Sequence, residues 1–135
     1  MQNRPYQEIA QRRVLHSLYN RPILVSPTGS GKTHMAVQVV RTLNARTLWL
    51  AGRRELVAQA HKQLTRAGGH AGVIMAGEAQ NRFAPIQVAS VQTITRRDIP
   101  EVDLIVIDEC HHAIPGSEYE QFFSLGVPVI GLTAT

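Results

Sequence analysis

Apolar residues along the chain alternate between two spacings, one typical of strands and one typical of helices. Residues three or four positions apart predict helices through Met35–Leu43 and Leu56–Ala67, with Gly68-Gly69 ending the second. Two further helices are predicted, one beginning at Arg4-Pro5 and one over Tyr119–Ser124. Short β-rich runs separate the helices, at Ile23–Val25, Thr47–Ala51, Gly72–Ala76, Ile86–Ala89, Leu104–Ile107 and Val127–Leu132.

The run Leu104–Ile107 is continuously apolar, which is typical of a strand buried on both faces of a parallel sheet. Strands that alternate with helices favour the same architecture. We therefore predict a three-layer α/β/α fold with a mainly parallel sheet. A chain of 135 residues is the size of one domain, so residues 1–135 are expected to form a single unit.

Composition excludes several classes of protein. Hydrophobic residues make up 44% of the chain and charged residues 18%, so a disordered protein is excluded. No apolar run reaches the roughly 18 residues of a membrane span, and the polar N-terminus does not resemble a secretory signal. Cys110 is the only cysteine, which excludes an intrachain disulfide. We expect a cytoplasmic protein with no membrane partner.

Charge is unevenly distributed along the chain. All 14 Lys and Arg lie at or before Arg97 together with three acids, and the other seven acids follow. The first 97 residues thus carry a formal charge of +11 and the rest carry −7. A basic face suits a polyanion and an acidic segment suits a metal cation. Alternatively, the two parts interleave in the fold and the asymmetry has no spatial meaning.

Residues 26–33, SPTGSGKT, follow one predicted strand and open the next helix, which is the context of a phosphate-binding loop. Glycines allow successive backbone N–H groups to face one anion, assisted by the helix N-terminus. Lys32 would reach the β- and γ-phosphates of a nucleotide, and the Thr33 hydroxyl would bind Mg²⁺. The usual first glycine is replaced by Ser26. The alternative is a simple turn rich in Gly and Ser.

Two adjacent carboxylates, Asp108 and Glu109, follow the buried strand Leu104–Ile107. Carboxylates at such a position are costly unless a cation or a hydrogen-bond donor engages them. Asp108 is the candidate acidic partner of Mg²⁺, and Glu109 is the candidate group that polarises the attacking water. The alternative is that both acids are merely solvated at the mouth of a loop.

Three motifs in this order resemble motifs I, II and III of superfamily 2 helicases: PTGSGKT at 27–33, DECH at 108–111 and TAT at 133–135. Shorter stretches resemble flanking motifs of the first RecA-like domain: RPYQ at 4–7, RREL at 53–56 and SVQT at 90–93. VIDECHHA with GLTAT is similar to the DExH-box branch of restriction-type translocases and repair helicases. The resemblance covers essentially the whole chain.

The resemblance implies a RecA-like P-loop domain that binds ATP and Mg²⁺. It implies that Arg4 and Gln7 recognise adenine and that residues 28–33 surround the phosphates, through Thr28, Gly29, Ser30, Gly31, Lys32 and Thr33. It also implies a path of coupling from the nucleotide to motif III, through His111, Thr133 and Thr135.

For the other ligand, the resemblance implies contacts with the phosphates of a nucleic acid, DNA being favoured over RNA, through Arg53, Arg54, Gly77 and Thr93. Phosphate contacts carry no base information. The family closes ATP against a second RecA-like domain, in cis or in trans, which supplies arginine fingers. Residues 1–135 stop after the motif III strand, so we expect them alone to hydrolyse ATP slowly and not to unwind a duplex.

A parallel sheet would bring most of these motifs to one edge. In an open parallel sheet, ligands bind outside the carboxyl ends of the strands. Five segments directly follow predicted strands: the phosphate loop, Gly52-Arg53-Arg54, Ser90–Thr93, Asp108-Glu109 and Thr133. Two alternatives to a nucleic-acid motor stay open: a P-loop ATPase that ignores nucleic acid, and a regulatory module that binds nucleotide or nucleic acid without turnover. Stimulation of ATP hydrolysis by nucleic acid would separate the three.

Overall fold

The structure is a computed structural model, and it describes residues 23–25, 32–110 and 117–133. These residues contain six strands and four helices. The strands are β1 (Ile23–Val25), β2 (Thr47–Ala51), β3 (Ala71–Ile74), β4 (Ile86–Ser90), β5 (Leu104–Ile107) and β6 (Val129–Thr133). The helices are α1 (Lys32–Leu43), α2 (Arg54–Arg66), α3 (Val91–Ile94) and α4 (Glu120–Phe123).

The six strands form one sheet in the order β1-β6-β5-β2-β4-β3, and every pair is parallel. All six carboxyl ends therefore lie along the same edge. β5 occupies an inner position between β6 and β2, as its continuous apolar run predicts.

Both faces of the sheet are covered, which confirms the predicted three-layer α/β fold. One face of the sheet packs with α1 and α2 around Trp49, and all of its core residues are buried. The other face packs with α3, α4 and the Tyr119 region around Leu50 and Ile105. Trp49, Ile105 and Phe122 each have a relative exposure of 0%, as expected for the centres of two apolar layers.

Helix α2 shows why the sequence specifies these elements. Val57, Ala60 and Leu64 lie on one stripe and are buried, while the basic residues of the opposite side are exposed. The helix ends where predicted: Gly68 adopts a positive φ of 87°, and the Gly69 N–H donates to the Leu64 carbonyl at 3.0 Å. A left-handed glycine is the usual way to end a helix, because it has no Cβ to clash.

Some elements differ from the sequence prediction. β3 ends at Ile74, before the predicted Ala76, and β6 begins at Val129 instead of Val127. Pro128 precedes β6 and lacks an N–H, but its carbonyl still accepts from Ile105 at 2.9 Å. Helix α3 is additional, since a single turn of four residues is too short to show a helical period.

The charge asymmetry does not separate into two faces where side chains are described. Three ion pairs among the described side chains join an arginine before position 97 to an acid after it. Arg46 engages Asp103 through two bonds of 3.2 Å and also lies 3.6 Å from Glu101, and Arg53 binds Glu109. At these places the basic and acidic parts of the chain interleave. Across the described segments, no helix has the length and apolar character to cross a membrane.

Candidate nucleotide and nucleic-acid site

The register of the sheet aligns the candidate motifs at one edge. Val25 of β1 pairs with Thr133 of β6, and Gly131 of β6 pairs with Ile107 of β5. Two residues beyond Ile107, Glu109 is therefore level with Thr133 and Val25. With strands about 4.8 Å apart, the end of β1 lies about 10 Å from the end of β5. That span places the strand before the phosphate-loop sequence within reach of the paired acids.

Residues of the strands on the other side of β5 also align with Glu109. Leu50 pairs with Ile107, so Gly52 follows β2 at the level of Glu109. Ala51 pairs with Ser90, which brings Val91 and the start of α3 to the same edge. The edge therefore has one side at β1 and β6, next to the candidate phosphate-loop sequence, and a second side at β2, β4 and β3. Asp108 and Glu109 stand between the two.

Asp108 is buried, with a relative exposure of 5%, although it is a carboxylate. Its backbone N–H donates to the Leu50 carbonyl at 2.8 Å, and its Oδ1 accepts the Glu109 N–H at 3.0 Å. These bonds hold the carboxylate rigidly at the end of β5. A buried, oriented carboxylate is a hard oxygen ligand of the kind that Mg²⁺ prefers.

Glu109 has a backbone φ of 51°, in the left-handed region. For a residue with a side chain this conformation costs about 1 kcal/mol, and such strain concentrates at functional sites. Glu109 also accepts a bond of 3.0 Å from Arg53 Nη2 through its Oε1. The candidate water-polarising acid is thus in direct contact with a candidate nucleic-acid residue.

Arg53 and Arg54 begin α2, where cations oppose the helix dipole. Arg53 is the N-cap residue and makes no side-chain capping bond, so it does not stabilise the helix in the usual way. Arg54 Nη1 donates to the Ala76 carbonyl at 3.2 Å, directly beside Gly77. Gly77 has a φ of 84°, and no described atom lies within 4 Å of a Cβ placed there. The structure therefore brings Arg54 and Gly77 together.

Thr93 lies in α3 and is half-buried, one residue after Gln92. The Ser90 hydroxyl donates to Gln92 Oε1 at 2.8 Å, and Gln92 Nε2 donates to the Gly52 carbonyl at 3.0 Å. This chain of bonds ties the end of β4 to the turn that carries Arg53. Gln92 lies within SVQT, but the sequence gives no sign of this contact, because it depends on the neighbouring strand β2.

An open cavity of about 350 Å³ lies on the second side of Glu109. Its lining combines the end of β2, the start of α3 and the segment before α4: Gly52, Arg53, Val91, Gln92, Glu109, Ser117, Glu118 and Tyr119.

Tyr119 is buried, and it also lines this cavity. Burial, with the nearby charges of Glu118, Asp108 and Glu109, raises the pKa of Tyr119 to about 12. Its hydroxyl lies 3.1 Å from a Cβ placed on Gly52. At neutral pH the phenol therefore stays protonated against the Gly52 turn. Burial also raises the pKa of the Cys110 thiol, which makes this cysteine a poor nucleophile.

The remaining predicted residues are located as follows. Thr33 is the second residue of α1 and is half-buried, and Thr133 is buried at the end of β6. The side chain of Lys32 and the helix expected from Pro5 lie outside the described residues. So do eight predicted site residues: Arg4, Gln7, Thr28, Gly29, Ser30, Gly31, His111 and Thr135. Among the side chains that are described, no three His, Cys, Asp or Glu group together as a metal cluster.

The family described as type III restriction enzyme, res subunit, matches residues 1–135. The type I restriction enzyme EcoAI endonuclease subunit of Escherichia coli is 35% identical over 136 residues, covering 86% of this chain and 17% of that protein. Rad25 of Halobacterium salinarum, named as a candidate DNA 3'-5' helicase, is 36% identical over 124 residues, covering 84% of this chain and 20% of its own.

Among solved structures, the Hef helicase domain of Pyrococcus furiosus superposes with a TM-score of 0.78 at 26% identity, covering 98% of this chain and 33% of that one. The chain thus spans about a fifth of the length of the two curated relatives and a third of this structure.

Proposed function

The chain belongs to the family of the type III restriction enzyme res subunit, as a first RecA-like domain of the superfamily 2 helicases, and we propose that it hydrolyses ATP to drive movement along DNA. The domain type is that of helicase and translocase ATPases of the restriction and repair branch. One observation carries the proposal: Glu109, level with the end of the phosphate-loop strand, contacts Arg53 at 3.0 Å.

In the nucleotide half, the backbone of Thr28–Gly31 and the Lys32 amine bind the phosphates, and Arg4 and Gln7 bind adenine. Thr33 and Asp108 hold Mg²⁺. The donor set fits this ion, because a hydroxyl and a rigidly held carboxylate are both hard oxygen ligands. Bound Mg·ATP supplies the transferable phosphoryl group and a metal that offsets its charge.

Glu109 orients and polarises the attacking water. Support comes from its position, one residue beyond Asp108 at the end of an inner strand, and from its left-handed backbone, which turns it away from the strand direction. His111, Thr133 and Thr135 transmit the state of the nucleotide to motif III. The buried position of Thr133, beside the end of β1, supports its share of this role.

In the second half, Arg53, Arg54, Gly77 and Thr93 contact nucleic-acid phosphates. The arginines are exposed at the ligand-binding edge, and Arg54 already meets the Gly77 loop. The names of the matched family, of one restriction enzyme and of one DNA helicase favour DNA over RNA as the partner. A second RecA-like domain, in cis or in trans, closes on the nucleotide and supplies arginine fingers, which raise turnover about 10³–10⁵-fold in related enzymes.

The test is release of labelled phosphate from ATP by the chain, with no nucleic acid, single-stranded DNA, duplex DNA or RNA. Hydrolysis that rises with DNA and is lost in Glu109→Gln supports the proposal. Glu118→Gln is the matched control, since it removes one carboxylate from the same cavity without removing the proposed water-polarising group. It should keep the DNA response.

Two other outcomes would point to different functions. Hydrolysis that ignores every nucleic acid would indicate a P-loop ATPase of another kind. Binding of ATP or DNA without turnover, even when a second RecA-like domain is supplied in cis or in trans, would indicate a regulatory module.

A further inference from the structure

The strongest unassigned feature is the contact between two groups that the proposed function gives to different ligands. Arg53 is assigned to nucleic-acid phosphate and Glu109 to the attacking water, yet the two are joined by a bond of 3.0 Å. Their side chains are 64% and 27% exposed, so the pair is accessible from solvent. No simple stabilising role explains Arg53, because a cation at a helix N-terminus opposes the dipole.

The pair is able to exchange partners. An ion pair near the surface typically contributes little to stability, so a stronger anion can displace one member. A nucleic-acid phosphate is such an anion, since arginine forms charge-assisted, often bidentate bonds with it. The backbone at Arg53 is held by the Gln92 bond to the Gly52 carbonyl, so exchange requires movement of the side chain only.

We propose that the Arg53–Glu109 pair is a restraint on the catalytic carboxylate that nucleic acid releases. Without nucleic acid, Arg53 draws the Glu109 carboxylate toward the cavity side of the edge. A phosphate that binds Arg53 frees Glu109 to orient water over the nucleotide. This inference rests on the proposed function and supplies a physical route by which DNA would stimulate hydrolysis.

The restraint has a reciprocal consequence that can be measured without turnover. If Glu109 competes with phosphate for Arg53, removing the charge of Glu109 must tighten DNA binding. We expect Glu109→Gln to bind a short fluorescent duplex about two- to fivefold more tightly than the parent, the factor that corresponds to one surface ion pair. The measurement is fluorescence anisotropy at fixed salt.

Matched variants separate this effect from a general loss of negative charge. Glu118→Gln removes a carboxylate from the same cavity, and Glu118 forms no ion pair with Arg53 among the described contacts. It should tighten binding less than Glu109→Gln. In an Arg53→Gln background, the extra effect of Glu109→Gln should disappear.

Two binding results would overturn the restraint, and only one of them would also overturn the proposed function. Equal tightening by Glu109→Gln and Glu118→Gln would overturn the restraint while the motor function stands. Failure of the parent to bind any duplex would overturn both.

Basal hydrolysis gives an independent readout. Arg53→Gln should raise DNA-independent turnover and reduce the stimulation by DNA. Arg82→Gln removes the same charge from an exposed loop residue, whose Nε bonds only to Gln80 among the described contacts, and should change neither. A basal rate in Arg53→Gln equal to that of the parent would contradict the restraint.

Discussion

The turn at Gly52 gives a prediction whose size follows from one contact. A Cβ on Gly52 would lie 3.1 Å from the Tyr119 hydroxyl, closer than the 3.4 Å at which ordinary contact begins. Overpacking of a well-packed region costs about 1–3 kcal/mol, and a shortfall of a few tenths of an ångström belongs at the low end, about 1 kcal/mol. Replacing glycine with alanine also stabilises through the unfolded chain, by about 0.4–1 kcal/mol.

The two contributions are separated by removing the oxygen that causes the clash. Gly52→Ala should be neutral or slightly destabilising in the parent and stabilising in a Tyr119→Phe background. The coupling between the two substitutions should be about 1 kcal/mol, because the unfolded-chain contribution is the same in both backgrounds.

The assay is urea unfolding followed by the fluorescence of Trp49, which is the only tryptophan and is fully buried. Equal effects of Gly52→Ala in the two backgrounds would refute the contact. The same result would refute the packing of Tyr119 against the turn that carries Arg53.

Three further predictions concern the rest of the molecule. Because the pKa of Tyr119 is raised from 10.0 to about 12, folding stability should fall as the pH rises from 10 toward 12, and Tyr119→Phe should lack this loss in alkaline unfolding curves. Hydrogen bonds from Arg46 lower the pKa of Asp103 below its ordinary 3.8. The stability that these bonds contribute is therefore present above pH 3.8 and lost as the pH falls below it. Asp103→Asn should lower the melting temperature at pH 7 but not in strong acid. Leu64→Ala should cost about 2–5 kcal/mol in urea unfolding, since Leu64 is fully buried between α2 and the sheet.

Much of the fold could be predicted because its signals are local. The apolar run Leu104–Ile107 indicates an inner parallel strand, and the spacing of Val57, Ala60 and Leu64 indicates the buried side of α2; the structure has both. The single-turn helix α3 was missed because four residues contain little more than one helical period. The end of β3 was placed too late because Met75 is buried and apolar without belonging to the strand.

The site could be predicted only in outline. Residue types and strand ends located Asp108, Glu109 and Arg53 at one edge, since that follows from a parallel topology. The direct bond between Arg53 and Glu109 could not be predicted, because the two lie 56 positions apart and their contact depends on β2 and β5 being neighbours. Tyr119 is buried, but its place beside the Gly52 turn depends on tertiary packing that the spacing of apolar residues does not reveal.

We propose that one edge of the sheet holds the nucleotide on one side of Glu109 and the nucleic acid on the other. The most direct measurement is a crystal structure of the chain with a non-hydrolysable ATP analogue, Mg²⁺ and a short DNA duplex. We expect the terminal phosphate of the nucleotide to lie beside Asp108 and Glu109 on the β1 side, and a DNA phosphate to bind Arg53 or Arg54. A nucleotide at the opposite edge of the sheet, or DNA bound away from both arginines, would contradict it.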